Sequence, residues 1–195
     1  MRVPPVIQSL REGTAVAHQR LDEAVDLEVR VRRADDRLGL VRAFYRFHAA
    51  AEAVLRRSLT GVDGYDPERA SRLPVLRSDL QALGAAEPPV DLMPDGADRA
   101  EGLGWLYVVE GSALGGHVLS RQLYGQGIDL TGLGFLSFYG DDVGVRWRQV
   151  MAIIDREVST QHADPGRVVS GARHAFDFAF SVLRSPAIPQ NPLYD

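Results

Sequence analysis

The sequence predicts an all-α protein, an irregular helical bundle that forms a single domain over residues 1–195. Apolar residues recur three and four positions apart along most of the chain, which is the spacing of helices with one buried face. No stretch alternates apolar and polar residues as a half-buried strand does, and no internal repeat is visible. A chain of 195 residues can bury one core together with a pocket of ligand size.

Three helical segments are predicted in the first half of the chain. Residues 9–27 and 38–59 each carry an apolar stripe at helical spacing. The dipeptide Asp66-Pro67 is typical of a helix start, because aspartate accepts hydrogen bonds from free N–H groups and proline fits the first turn. Pro74 is expected to break or kink this helix, and Gly84 to end it.

Residues 84–96 contain three prolines and two glycines and are predicted to link the two halves of the domain. A long helix is predicted for residues 97–124, and a glycine-rich connection for residues 125–142. Two further helices follow, with the second one starting at Asp164-Pro165 and reaching Leu183, and residues 185–195 form a proline-rich tail. Asp141 and Asp142 are predicted to cap the helix of residues 145–158.

Composition excludes several classes of function. The chain has no cysteine, which excludes disulfides, thiolate nucleophiles, iron–sulfur clusters and thiolate-ligated heme. A net charge of -4 argues against nucleic acid as a partner. No apolar run approaches the roughly 20 residues that cross a bilayer, and the N-terminus lacks the pattern of a signal peptide. We therefore expect a cytoplasmic protein that does not enter membranes.

The five histidines do not include a pair at the four-residue spacing of a helical zinc site. His18 stands at the edge of the first apolar stripe, where two interpretations remain open: a half-buried histidine with a neighbouring partner, or a single axial ligand to heme iron. Arg11 lies seven residues before His18 and shares its helix face. Its guanidinium, about 10 Å along the helix, suits a heme propionate.

Residues 110–117 form the second unusual segment, since Gly111, Gly115 and Gly116 lie in the middle of a predicted helix. Three helical glycines cost about 3 kcal/mol relative to alanine, so a close approach should offset this cost. The approaching group is either a packed helix or a flat ligand. His117 is turned about 140° from Ser112 and should point away from such a ligand.

Two segments resemble a known family. Residues 10–22 fit the pattern L-K/R-x-x-T-x-x-x-H-x-x-x-D/E, and residues 107–116 fit the pattern Y-V-x-E-G-S-x-L-G-G/A. These patterns are similar to the proximal and distal helices of heme (haem) oxygenases, in particular the small bacterial enzymes encoded beside bacteriophytochromes. The resemblance extends over residues 10–183.

The resemblance implies that heme is held between a proximal N-terminal helix and a glycine-rich distal helix. His18 would be the iron ligand, and Gly111, Gly115 and Gly116 would cover the distal face. The implied propionate partners are Arg11, Arg148 and, as a weaker candidate, Tyr107. Ser112 stands where the mammalian enzymes have an aspartate, so its hydroxyl or backbone groups would order the distal water.

The implied activity is the cleavage of heme, which is both substrate and cofactor, to biliverdin, CO and free iron. It requires O2 and an external electron donor, a ferredoxin or a reductase, and a bacteriophytochrome is the implied recipient of biliverdin. Three alternatives remain: a heme carrier without turnover, a thiaminase-like helical enzyme, which the absence of cysteine disfavours, and a helical interaction protein. Trp105, Trp147, Phe176 and Phe180 are predicted to be core residues.

Overall fold

The computed structural model describes residues 3–90, 94 and 96–184, and this part of the chain is helical with no strand. The prediction of an all-α fold is therefore confirmed. The predicted proline-rich tail, residues 185–195, lies outside the described residues. The helices are α1 (Pro5–Val25), α2 (Leu27–Arg32), α3 (Ala34–Ser58), α4 (Pro67–Ala70), α5 (Leu73–Ala82), α6 (Arg99–Gly125), α7 (Val143–Ser159) and α8 (Pro165–Leu183).

The segment predicted as one helix over residues 9–27 consists of α1 and the start of α2. Asp26 separates these helices because it adopts a left-handed conformation, with φ 42° and ψ 58°. α1 also begins earlier than predicted, with Pro5 in its first turn, where a missing N–H has no consequence. α3 likewise begins before residue 38. Asp35 and Asp36 lie in its first turn, where their negative charges interact favourably with the positive end of the helix dipole.

Two of the three predicted aspartate caps are present. The Asp66 carboxylate accepts hydrogen bonds from the N–H groups of Glu68 and Arg69, and the Asp164 carboxylate accepts one from Arg167 N–H. The prediction that Asp141 and Asp142 cap α7 is wrong. A 3-10 turn, Gly140–Asp142, precedes α7, and the Asp142 side chain accepts no capping hydrogen bond.

Pro74 does not interrupt a helix. It lies in the first turn of α5, which is separate from α4. This position tolerates proline because the N–H groups there have no partner within the helix. A second 3-10 turn, Gly134–Ser137, lies in the predicted glycine-rich connection and is fixed by Asp79, whose carboxylate accepts hydrogen bonds from the N–H groups of Gly134 and Phe135 at 2.8 and 2.9 Å.

α8 supports both helices of the site. A Cβ on Gly13 of α1 would come within 2.6 Å of the Val169 side chain, and a Cβ on Gly104 of α6 would come within 2.2 Å of the Val168 carbonyl oxygen. On the α8 side, Gly171 likewise meets the backbone of α6 at Glu101. These glycines let α1 and α6 pack closely on α8, and α1 and α6 have little direct contact with each other.

One hydrophobic core draws residues from both sides of residues 84–96, with α3 packed against α5, α6 and α8. Within the described residues, none of the helices has the length and apolar character needed to cross a membrane.

Candidate heme site between α1 and α6

α1 and α6 both pack on α8 with little contact between them, and their two contacts come in the same order along the chain, so we infer that they run in the same direction and border a cleft. At one end of it, Tyr107 of α6 lies beside Arg11 and Thr14 of α1: burial raises the pKa of Tyr107, and the Arg11 guanidinium and Thr14 hydroxyl act in the opposite direction. At the other end, Gln122 of α6 donates a hydrogen bond to Glu28 of α2 at 3.2 Å. Between these two contacts the helices are apart, and α8 forms the base.

His18 and Gly111 lie at the same level of this cleft. Thr14 and Tyr107 contact each other at one end of the cleft. His18 comes four residues after Thr14, and Gly111 comes four residues after Tyr107. Four residues advance an α-helix by about 6 Å, so the histidine and the glycine face the cleft at matching heights.

The His18 side chain suits an iron ligand. It is 62% exposed, its Nδ1 lies 2.8 Å from an Asp22 carboxylate oxygen, and its ring meets Phe176 of α8 edge-on at 5.6 Å between centroids. A neutral imidazole that donates a hydrogen bond from Nδ1 has its lone pair on Nε2. The Asp22 contact therefore orients the ring and leaves Nε2 available for a metal.

The opposite wall of the cleft is a face of α6 with few side chains. We call it the glycine face. It contains Gly111, Gly115 and Val118, because Val118 is rotated only about 20° from Gly111 around the helix axis. A Cβ on Gly115 would meet no atom within 4 Å beyond its own helix, and Val118 is 65% exposed. Bare backbone with a flanking valine can contact a flat apolar ring.

Gly116 has a different environment from Gly115. A Cβ on Gly116 would lie 2.8 Å from the Leu136 carbonyl oxygen, in the 3-10 turn Gly134–Ser137. Close packing against this turn therefore explains why residue 116 is a glycine. Gly111 and Gly115, in contrast, border the cleft.

The Ser112 hydroxyl donates a hydrogen bond to the Val109 carbonyl oxygen at 2.7 Å, and its oxygen can still accept a hydrogen bond from water.

Arg11 and Arg148, two of the predicted propionate partners, are exposed and form no hydrogen bond or ion pair with another described residue. Arg11 lies beside Tyr107, the third candidate, at one end of the cleft. Arg148 follows Trp147, which lies at the same end of the cleft. Both guanidiniums are therefore available to carboxylates of a ligand.

Trp147 is a cleft residue that the sequence did not single out, since it was expected in the core. Its ring is 5.4 Å from the Tyr107 ring between centroids, and a Cβ on Gly111 would lie 3.4 Å from it. The indole therefore lies at the Gly111 end of the glycine face. Phe176 is buried, as predicted for a core residue, but its ring edge also supports His18.

Behind the glycine face lies a second group that the sequence did not reveal. Glu110, with a side chain only 1% exposed, accepts hydrogen bonds from Arg72, Tyr139 and Arg146. A charged residue in a helix predicted to be largely apolar could have indicated a buried ion pair. The partners of Glu110 could not be identified in this way, because they come from distant segments of the chain.

The other histidines do not border the cleft. His117 points to the 3-10 turn Gly140–Asp142, with Nε2 3.9 Å from Asp141, so it faces away from the glycine face as its helix position predicted. His48 is buried between Phe44 and Phe47. Among the described residues, no group of three or more histidine and carboxylate side chains could hold a metal ion.

Two surface cavities lie elsewhere. One, of about 460 Å³, is bordered by Trp105, His174 and Phe178, and the other, of about 760 Å³, by Arg69, Tyr139 and Arg146. The groups on α1 and α6 fit heme: one imidazole with a free Nε2, a stretch of bare helix backbone, and the Arg11 guanidinium beside Tyr107.

Comparison with known proteins identifies the family of this chain. The sequence model of the heme oxygenase family matches residues 5–185. The chain is 30% identical over 158 residues to a heme oxygenase of Xanthomonas campestris pv. campestris (strain 8004), in an alignment that covers 80% of this chain and 93% of that protein.

Two solved structures share the fold. The NO- and CO-bound heme oxygenase from Neisseria meningitidis superposes with a TM-score of 0.75 at 23% identity, covering 92% of this chain and 90% of that chain. Heme oxygenase 2 from Chlamydomonas reinhardtii, solved without heme, gives a TM-score of 0.67 at 15% identity, covering 95% of this chain and 100% of that chain.

Proposed function

We propose that this chain, which belongs to the heme oxygenase family, cleaves heme to biliverdin, CO and free iron. The proposal is supported by two features: His18, whose Nδ1 lies 2.8 Å from Asp22, and the bare backbone of α6 at Gly111 and Gly115, which helical spacing puts at a similar height. A disc held by His18 on one side would meet mainly backbone on the other, with the Trp147 ring and Val118 at its edges. Heme is the substrate, and it also supplies the iron at which O2 is activated.

The protein's contribution is the position of the ring. His18 would hold the iron through Nε2, and Asp22, at 2.8 Å from Nδ1, would keep the imidazole in the required tautomer. Gly111 and Gly115 let the distal backbone approach the ring closely and restrict what else can occupy that side. Arg11, Arg148 and Tyr107 are proposed to bind the propionates, which would set the rotation of the ring in its plane.

Ser112 is proposed to order distal water. Its hydroxyl proton is committed to the Val109 carbonyl at 2.7 Å, so Ser112 would act as an acceptor toward water. This arrangement supplies a fixed polar group beside the glycine face without an aspartate.

The reaction needs O2 and electrons from outside the chain, and a ferredoxin or a reductase is the proposed donor. A bacteriophytochrome is the proposed recipient of biliverdin, on the ground that the motifs resemble the enzymes encoded beside these photoreceptors. The proposed location is the cytoplasm.

An absorption titration with hemin tests the function. The expected result is a saturable Soret band at one heme per chain, which a reductant and O2 convert to the broad red absorption of biliverdin. His18→Ala should abolish this conversion, whereas the matched control His162→Ala, at an exposed histidine outside the cleft, should not. Stable binding without conversion would favour a heme carrier, and normal conversion by His18→Ala would rule out the ligand assignment.

A further inference from the structure

Glu110 joins four segments of the protein at one carboxylate. Its Oε1 accepts hydrogen bonds from Arg146 Nη2 at 2.8 Å and from the Tyr139 hydroxyl at 3.1 Å, and its Oε2 accepts one from Arg72 Nη2 at 3.3 Å. Arg72 also donates from Nη1 to the Val109 carbonyl at 2.9 Å. The start of α5, the 3-10 turn before α7, and α7 itself thus all hold α6 immediately before Gly111.

These charges are buried and balanced. The side chains of Arg72 and Arg146 are 2% and 13% exposed, and Glu52 of α3 accepts hydrogen bonds from Arg72 N–H and the Ser71 hydroxyl. Glu110 thus contacts both guanidiniums, whereas Glu52 contacts the backbone N–H of Arg72. Buried ion pairs of this kind add little stability compared with apolar side chains of similar volume, because burial removes the charges from water. Stability alone does not account for this group.

The glycine face needs an anchor of this kind. On the cleft side of α6, Gly111 and Gly115 have no side chains that could lock the helix against a neighbour, and glycine makes the helix easier to deform. Contacts on another side of α6 must then fix the position of its backbone relative to the cleft. Glu110 directly precedes Gly111, so it acts where the unsupported stretch begins.

The same contact also places Trp147. This residue follows Arg146 in α7, and its ring lies against Gly111 and Tyr107. The ion pair between Arg146 and Glu110 therefore sets two walls of the cleft relative to each other: the backbone of α6 and the indole of α7.

We propose that Glu110 is a positioning residue that fixes the glycine face and Trp147 at the heme site through its contacts with Arg72, Tyr139 and Arg146. Its role for heme rests on the proposed function. Its effect on the helix is a property of the protein alone, so the two can be tested separately.

The first test is amide hydrogen exchange of the full chain without heme. Glu110→Gln keeps the side-chain volume but removes the charge that both guanidiniums share. Removing one partner of a buried ion pair lowers the stability of the whole protein, so exchange should rise in α8 as well, but exchange of amides 111–117 is expected to rise about tenfold more than that of α8. The matched control is Glu68→Gln, which breaks the exposed Arg56–Glu68 ion pair and should leave residues 111–117 unchanged.

Tyr139→Phe provides a milder variant should Glu110→Gln not fold. It removes one donor to Glu110 and leaves both guanidiniums, so it should raise exchange over residues 111–117 by a smaller factor, but still by more than in α8. Unchanged exchange of residues 111–117 in a folded variant would overturn the proposal. An equal rise throughout α6 and α8 would also overturn it, because that pattern belongs to a general loss of stability.

The second test uses the ferric complex with hemin. Glu110→Gln is expected to change the ratio of high-spin to low-spin iron in the absorption spectrum, whereas Glu68→Gln is not, since a shifted glycine face alters the distal side of the ring. An unchanged ratio in Glu110→Gln would remove the role for heme. If the wild-type chain bound no hemin, the proposed function would fail, while the exchange result on Glu110 would still stand.

Discussion

The carboxylate of Asp22 lies 2.8 Å from Nδ1 of His18, one helical turn further along α1. Both side chains are mostly exposed, 62% for His18 and 66% for Asp22, so this contact contributes little to the stability of the fold. Its consequence is chemical: a carboxylate on Nδ1 makes Nε2 a stronger donor toward iron and stops the ring from rotating.

Asp22→Asn is therefore expected to weaken hemin binding about tenfold without a change in melting temperature. The variant keeps a hydrogen-bond acceptor but loses the negative charge that increases the basicity of the imidazole. The iron–histidine stretching frequency of the ferrous complex, measured by resonance Raman spectroscopy, should fall for the same reason.

The matched control is Glu23→Gln, which removes a neighbouring exposed carboxylate whose partner is Gln19. It should bind hemin as the wild type does. Equal affinities and equal stretching frequencies for Asp22→Asn and the wild type would show that Asp22 does not act on the ligand.

Adjacent glycines of α6 are expected to respond differently to the same substitution. Gly115→Leu should keep or slightly raise the melting temperature without heme, because leucine favours a helix by up to about 1 kcal/mol over glycine and nothing obstructs it. Hemin binding should be lost, since the side chain would occupy the cleft. Gly116→Leu should lower the free energy of unfolding by about 1–3 kcal/mol, because its Cβ meets the Leu136 carbonyl oxygen.

Thermal unfolding without heme and hemin titration, measured on both variants, separate the two environments. A Gly115→Leu protein that is destabilised, yet binds hemin when folded, would mean that Gly115 serves packing as Gly116 does.

Charge reversal at the end of the cleft should change which product isomer forms. Arg11→Glu or Arg148→Glu would repel a propionate, and the ring would then rotate in its plane and present another meso carbon to the distal side. Chromatography of the biliverdin isomers measures this effect, which should exceed the effect on total yield. Arg57→Glu, at an exposed arginine of α3, is the control. An unchanged isomer ratio in both cleft variants would remove Arg11 and Arg148 from the site.

Much of the fold could be predicted from local patterns. The apolar periodicity located the long helices, and the Asp-Pro pairs at residues 66 and 164 marked two helix starts because capping depends on neighbouring residues only. The break at Asp26 was missed, since a left-handed aspartate leaves no distinct pattern in the sequence.

The candidate site could be proposed from the sequence where one helix face carries it. His18 and Gly115 follow from their own helices, and Asp22 could have been found from its four-residue spacing. Gly116 could not be distinguished from Gly115, because its neighbour Leu136 belongs to a turn whose position depends on the tertiary fold. The partners of Glu110 were likewise hidden, since Arg72 and Arg146 are 38 and 36 residues away from it.

His48 is expected to make the folded protein sensitive to mild acid. Burial, with a smaller contribution from the nearby Arg72 guanidinium, lowers the pKa of His48 well below its ordinary value of 6.5. The unfolded chain then takes up a proton near pH 6.5 that the folded chain does not, so the free energy of unfolding falls as the pH drops below this value. The loss from this one group is at most about 1.4 kcal/mol per pH unit.

His48→Leu should abolish this loss, because it removes the titrating group and an Nδ1 atom that has no hydrogen-bond partner among the described residues. Denaturant unfolding without heme between pH 5 and 7 measures the effect, over a range in which ordinary carboxylates stay ionised. His162→Leu, at an exposed histidine, should keep the wild-type pH dependence. If the wild type were equally stable across this range, or if His48→Leu kept the same slope, His48 would not be the group that titrates on unfolding.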